Sequence, residues 1–366
     1  MRRAEKPFDK AFFIVVALLV GIGFFIFTSA SLGLLARDGA SFSSVAFNQI
    51  VLGVIGGGIA LYITSRINYQ YWKKFALILF VFSIIATLLV FVPGLGFEHG
   101  GAKRWVHILG FSMQPSEFLK LGFVFFYAWW LTTYKTQMHT FYYGIVPLLV
   151  GTGGVGVLLL LQPDTGTFLT VLAAAGAMYL VAGARARDIV IVCLIAVTAL
   201  TGLIMSRDYA MARVKTFFNP SHDTLGSGYQ IDQSLIAIGS GGMFGRGFGQ
   251  SVQKFNYLPE PIGDSIFSVY AEEFGFVGSV LLVFLFVLFC YRGLSIAAKA
   301  PDMYGGLIVT GIVILIVSQS FINIGAMLGI VPLTGVPLLF ISHGGTAMLI
   351  TLAEVGIILN VSRYIA

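Results

Sequence analysis

Three short motifs place carboxylates beside prolines where apolar segments begin: Gln114-Pro115-Ser116-Glu117, Gln162-Pro163-Asp164-Thr165-Gly166-Thr167 and Leu258-Pro259-Glu260-Pro261-Ile262-Gly263-Asp264. Proline suits a first helical turn because its missing N–H has no partner there, and an acid meets the positive end of the helix dipole. Capping explains any one acid. Three of them at the edges of apolar segments ask for more, because carboxylates at membrane depth are costly and tend to be functional. Lys120 follows Glu117 by three residues, which puts both on one helical face about a turn inside the segment. That pair is either an ion pair that fixes packing or a cation presented to an anionic ligand. Lys103-Arg104-Trp105, just before it, adds two cations and an indole of the kind that anchors at an interface.

Other chemistries fit less well. His99, His107, His139, His222 and His343 lack metal-ligand spacing, so no structural zinc is expected. The glycine-rich run from Gly239 to Gly249 is not followed by Gly-Lys-Ser/Thr, so it does not make a phosphate loop. Cys193 and Cys290 both fall in apolar segments, where packing is the expected role and a disulfide is not.

The elements that must hold these residues are membrane helices. The chain is 57% hydrophobic and 10% charged, with a mean hydropathy of +0.91, more apolar than a soluble core of 366 residues needs. Apolar stretches cover 11–33, 45–65, 75–92, 116–134, 142–161, 166–183, 188–205, 265–291, 305–328 and 344–361. They predict an all-α integral membrane protein of about ten transmembrane helices, with 1–366 forming one polytopic domain. Arg2, Arg3, Lys6 and Lys10 precede a first run too long for a signal-peptide core, so it is expected to stay attached. With the amino terminus cytoplasmic, the inner segments hold those four plus Arg66, Lys73, Lys74, Lys135, Arg185, Arg187, Arg292, Lys299 and Arg363. Both termini then lie inside by the positive-inside rule. The net charge of +6 reflects this topology, and no basic cluster suggests nucleic acid. The segment 206–264 becomes a large extracytoplasmic loop, and the three proline-acid motifs open helices at that outer face.

Taken in order, the motifs resemble the SEDS family (shape, elongation, division and sporulation) of bacterial polytopic membrane proteins that polymerise peptidoglycan. The resemblance covers nearly the whole chain. It rests on Ser29-Ala30-Ser31, Arg104-Trp105, Gln114-Pro115-Ser116-Glu117-Phe118-Leu119-Lys120, Gln162 to Thr167, Gly228-Tyr229-Gln230, Leu258-Pro259-Glu260 with Asp264, Glu272-Glu273, Asn323-Ile324-Gly325, and Pro332-Leu333-Thr334-Gly335-Val336-Pro337 running to Gly344-Gly345. Gln233 to Gly242 and Ser251-Val252-Gln253-Lys254 resemble the division (FtsW) branch, whereas Thr334-Gly335-Val336-Pro337 leans to the rod-elongation (RodA) branch. Ile262-Gly263 stands where the family has His-Thr, and Ser342-His343-Gly344-Gly345 where it has Ser-Tyr-Gly-Gly.

The resemblance implies a peptidoglycan glycosyltransferase that uses lipid II. The acceptor's 4-hydroxyl attacks the anomeric carbon of the growing strand with inversion, and undecaprenyl diphosphate leaves. Such a hydroxyl needs one carboxylate to take its proton, and Asp264 is the candidate base. Arg104, Glu117, Lys120, Asp164 and Lys254 are the candidate substrate and diphosphate residues, since the leaving group asks for cations. A divalent cation, Mg or Mn, on Asp264 or Asp164 is compatible with this chemistry, although the sequence has no dedicated cage and no certain cofactor. Expected partners are lipid II, the nascent glycan strand, a class B penicillin-binding protein with transpeptidase activity, and other divisome or elongasome membrane proteins. The expected place is the bacterial cytoplasmic membrane, with the active site on the extracytoplasmic face and a role in septal synthesis and cell division. The alternatives are a lipid II flippase or transporter, a scaffold, and the rod-elongation counterpart. A carrier should hold its charges near the midplane, reachable from both sides.

Overall fold

The computed structural model describes residues 7–37, 43, 45–99, 102–108, 111–138, 140–206, 208–219 and 226–365. Arg2, Arg3, Lys6, His139 and His222 lie outside them. A helix covers each apolar stretch: α1 (Lys10–Arg37), α2 (Val45–Arg66), α3 (Gln70–Leu88), α4 (Pro115–Thr133), α5 (Ile145–Leu161), α6 (Thr165–Val181) and α7 (Ala186–Ser206). After α8 (Asp208–Phe218) and α9 (Ser227–Ser240) come α10 (Ile266–Ala298), α11 (Met303–Met327) and α12 (Gly345–Ser362). Among the described residues, α1, α2, α3, α10, α11 and α12 are long and apolar enough to cross a bilayer, which makes this a multi-pass membrane protein. Helices α5 and α6 are apolar but have 17 residues each, and α4 carries Glu117 and Lys120 in its first two turns.

Helix α11 is the central post, packed on α4, α6, α10 and α12. Its approach to α4 and α6 depends on a missing side chain. A Cβ on Gly311 would lie 2.7 Å from both Met178 Sδ and a Val124 methyl. Helix α12 lies against α2 in the same manner, since a Cβ on Gly356 would fall 2.0 Å from Thr64 Oγ1. Polar groups tie that pair further. Thr64 Oγ1 donates to Ala353 O at 2.9 Å, and Asn360 takes a bond from Tyr69 N (2.9 Å) while giving one to Ser65 O (3.0 Å). Helix α2 opens as a π-helix over Asn48–Gly56, a widened turn of the kind found beside functional sites. Gln49 in it accepts from Gly344 N at 3.0 Å and so fixes the entry to α12.

Two regions differ from the sequence reading. The stretch before α4, expected as a loop, is a three-stranded antiparallel sheet of β1 (Gly96–His99), β2 (Ala102–Ile108) and β3 (Phe111–Met113). Trp105 faces Phe97, and a register shift at Phe97/Glu98 interrupts the ladder, so the alternation that announces a strand is short. The segment expected as one long outer loop contains the helices α8 and α9 among its described residues. Helix α9 forms because Gly228, Ile231, Ser234 and Ala237 recur every three residues and bury one face against α10 and α11.

Candidate functional site

Asp264 ends a turn that is held from three sides. Within the turn, Gly263 N and Ser265 N both donate to Glu260 O, at 3.0 and 3.2 Å. From the segment between α11 and α12, Ser342 Oγ donates to Gly263 O at 2.8 Å and His343 N to Ile262 O at 2.7 Å. From α11, Asn323 Nδ2 donates to Asp264 O and to Val336 O, each at 2.8 Å. Gln230 on α9 adds a 2.9 Å bond to Ser265 Oγ. The backbone around Asp264 is thus fixed, and the residue is largely but not wholly buried.

The side chain meets two cations over a floor of bare backbone. Gly335 has φ of +69°, a conformation that L side chains rarely adopt, and a Cβ built on it would lie 3.4 Å from Asp264 Oδ2. The same point is 3.7 Å from Arg104 Nη1 and 3.7 Å from Arg213 Nη2. One carboxylate and two guanidiniums therefore converge on one open spot. Burial pushes the Asp264 carboxyl up, with the Glu260 and Asp164 charges adding to that and Arg104 and Arg213 opposing it, for a value of about 6. A carboxylate there ionises near neutrality, as a general base should.

Each arginine is aimed by carbonyls. Arg104, carried on β2, donates from Nε to Gln162 O at 3.2 Å and from Nη2 to Pro163 O, with Asp164 Oδ1 3.9 Å from Nη1. Arg213, on α8, donates from Nη1 to Leu333 O at 2.6 Å. Asp164 is fully buried and has three duties. It caps α6 by accepting from Thr167 N (3.2 Å), faces Gln114 Nε2 (3.5 Å) and stands beside Arg104. The first turn of α6 backs the floor directly, because a Cβ on Gly166 would meet a Val336 methyl at 2.4 Å.

Glu117 and Lys120, expected on the ligand, form a closed pair at 2.9 Å in which both are about 3% exposed. Lys120 Nζ also donates to Gln319 Oε1 at 2.7 Å, and Gln319 Nε2 donates to Pro337 O at 3.2 Å. The pair therefore reaches the site through the loop it holds. Lys254 is in a different cluster. Its ammonium, fully buried, bonds Glu273 Oε1 (2.7 Å), Ser29 Oγ (2.8 Å) and Gly249 O (2.9 Å), which uses all three donors and leaves none for a diphosphate. Glu272 beside it takes Ser251 Oγ at 2.6 Å and the Val252 and Gln253 amides.

The donor set at Gly335 does not suit a divalent ion. Two guanidiniums flank the carboxylate, Asp164 is already engaged, and the described residues contain no group of three His, Cys, Asp or Glu side chains that could hold a metal. Arg213 is the site residue that sequence reasoning missed. No motif surrounds it, and its only signal is one cation on a short helix in the long outer segment.

A family model described as a cell cycle protein, covering FtsW, RodA and SpoVE, matches residues 9–366. The chain belongs to that family. Stage V sporulation protein E of Bacillus subtilis (strain 168) is 39% identical over 356 residues, 97% of each chain. A probable peptidoglycan glycosyltransferase FtsW of Geobacter sp. (strain M18) is 36% identical over 365 residues, 99% of this chain and 98% of the relative. Among solved structures, a chain of a peptidoglycan synthase complex that coordinates polymerization and crosslinking superposes with a TM-score of 0.78 at 26% identity, over 97% of this chain and 98% of that one. The rod shape determining protein RodA of Thermus thermophilus gives 0.69 at 28% identity, over 97% of both.

Proposed function

We propose that this membrane protein polymerises peptidoglycan glycan strands from lipid II at the outer face of the cytoplasmic membrane. In this reading α1–α7 and α10–α12 are the membrane helices, in the orientation that the positive-inside rule gives, so that the face carrying Asp264 receives lipid-borne sugars. The observation that carries the reading is the convergence of Asp264, Arg104 and Arg213 on the bare backbone of Gly335. The acceptor 4-hydroxyl gives its proton to Asp264 as its oxygen bonds the anomeric carbon, and the bond from that carbon to the diphosphate oxygen breaks. The electron pair stays on undecaprenyl diphosphate, whose charge Arg104 and Arg213 stabilise. Glu117, Lys120 and Asp164 position this centre, and Lys254 holds the fold behind it.

The relatives named for sporulation and for FtsW, together with the Gln233 to Gly242 motif, favour septal over rod-elongation synthesis. A class B penicillin-binding protein is the partner that would cross-link the product, in keeping with the synthase complex among the structural neighbours. A lipid II carrier would draw on the buried Glu117–Lys120 pair, but that pair is closed on Gln319 and opens to neither side.

Purified protein with its transpeptidase partner, given labelled lipid II, tests the reading. Asp264→Asn should lower glycan product at least about 100-fold, the usual contribution of a positioned base. Undiminished product from that variant would remove Asp264 as the base.

A further inference from the structure

The glycine-rich run leads back toward the membrane. Helix α10 breaks at Gly275 (φ 66°, ψ −164°), and residues 242–247 supply the backbone partners that the break leaves open. Phe276 N donates to Gly242 O (2.9 Å) and Val277 N to Met243 O (3.1 Å), while Arg246 N and Gly247 N donate to Glu272 O and Glu273 O, both at 3.0 Å. The two segments touch backbone to backbone, and a Cβ on Gly245 (φ +78°) would lie 2.1 Å from Glu273 O.

Its depth follows from the helices it rests on. The Asp9–Arg292 ion pair, 2.8 Å, ties the inner ends of α1 and α10. Phe25 stands sixteen residues above Asp9 and Phe276 sixteen residues before Arg292, a rise of about 24 Å along either helix. The hydrocarbon layer is about 30 Å thick, so both phenylalanines lie inside its outer leaflet. Phe248 packs edge-on against Phe25 at 6.4 Å, and Met243 sits level with Phe276 through the backbone bonds. Yet the tip faces outward: Phe244 is 82% exposed, Met243 59% and Phe248 50%. A cluster this apolar is a liability in water and ordinary against acyl chains. Irregular backbone at that depth is tolerated because the broken helix satisfies it. The Arg246 guanidinium, 3.4 Å from Glu272, reaches along the segment as a long cation does near an interface.

We propose that residues 241–249 form a re-entrant wedge that seats Met243, Phe244 and Phe248 among the acyl chains of outer-leaflet phospholipids. This surface is separate from the Asp264 centre and does not depend on the activity proposed for it. The wedge touches the buried Lys254–Glu273 pair, since Gly249 O accepts from Lys254 Nζ at 2.9 Å and Gly247 N donates to Glu273 O at 3.0 Å.

The test uses the full chain in phospholipid nanodiscs, with Cys193→Ala and Cys290→Ala and a nitroxide on Phe244→Cys or, separately, Phe248→Cys. Collisions with oxygen, which concentrates in hydrocarbon, and with a water-soluble nickel chelate are measured. Both sites should favour oxygen, as Phe25→Cys and Val280→Cys on the exposed faces of α1 and α10 do, and opposite to Lys103→Cys. Nickel collisions exceeding oxygen at both wedge sites would mean an aqueous loop and overturn the proposal. Low collision rates with both reagents would mean that protein, such as a second copy, covers the face, and would overturn it as well.

Discussion

Removing the charge of Arg213 should move the pH dependence of the reaction upward by a predictable amount. Arg213 Nη2 and Asp264 Oδ2 lie 3.7 and 3.4 Å from the same point over Gly335, so they are no more than about 7 Å apart. Two unit charges at that distance interact by about 2.4 kcal/mol at an effective dielectric of 20. Asp264 is partly exposed, and solvent and salt reduce this to about 1.2 kcal/mol, or roughly 0.9 pH units at 1.36 kcal/mol per unit. The cation favours the ionised carboxylate, so its loss raises the Asp264 value from about 6 toward about 7. A base must be deprotonated to act, and the acid limb of kcat/KM therefore shifts to higher pH. Arg213→Gln is the variant of choice because it removes the charge and keeps a polar amide of moderate length. The assay is the rate of labelled lipid II polymerisation between about pH 5 and pH 9. Lys215→Gln, exposed and two residues along the same helix, points elsewhere and should leave the limb in place. An unmoved or downward-moving limb in Arg213→Gln would show that Asp264 is not the group that titrates, or that Arg213 does not act on it.

Gly335→Ala should cost about 1–3 kcal/mol in stability, read by thermal melting, because a side chain is strained at φ +69°. Its methyl group would also occupy the space between Asp264 and the two arginines, so kcat/KM for lipid II should fall at least about tenfold. Lys254→Met should destabilise by about 3–5 kcal/mol because it strands Glu273, and Lys254→Met with Glu273→Gln should recover most of that loss. Melting of the two variants side by side checks this, and an equal loss in both would mean the pair is not coupled.

Much of the fold can be read in the chain. Helices appear over every apolar stretch because burying backbone in lipid requires them, whatever the sequence between. Asp264, Arg104 and Gly335 sit in motifs that stand out by their prolines and glycines. Arg213 does not, since nothing near it in sequence shows that Leu333 O, 120 residues on, will accept its hydrogen bond. Lys254 was misleading for the opposite reason. It belongs to a conspicuous motif, but its partners Glu273 and Ser29 come from other helices, and pairing at that range has no local signal. The strands before α4 were hidden because β3 has three residues and β1 four, too few for alternation to register.

The site's position follows from the same constraint as its existence. A loop such as 332–344, irregular and pressed between membrane helices, has carbonyls that must find donors, because leaving one unpaired costs about 1–3 kcal/mol. Gln319 and Asn323 supply them from one face of α11, four residues apart, bonding Pro337 O and Val336 O. The second donor of that face also reaches Asp264 O, from a different part of the chain. Asn323 Nδ2 thus ties the backbone next to Gly335 to the backbone of Asp264. Lys120 sets the other end by holding Gln319, which explains why an ion pair remote from the open spot is part of its construction. The buried polar residues that satisfy this loop's carbonyls are the ones that place Asp264.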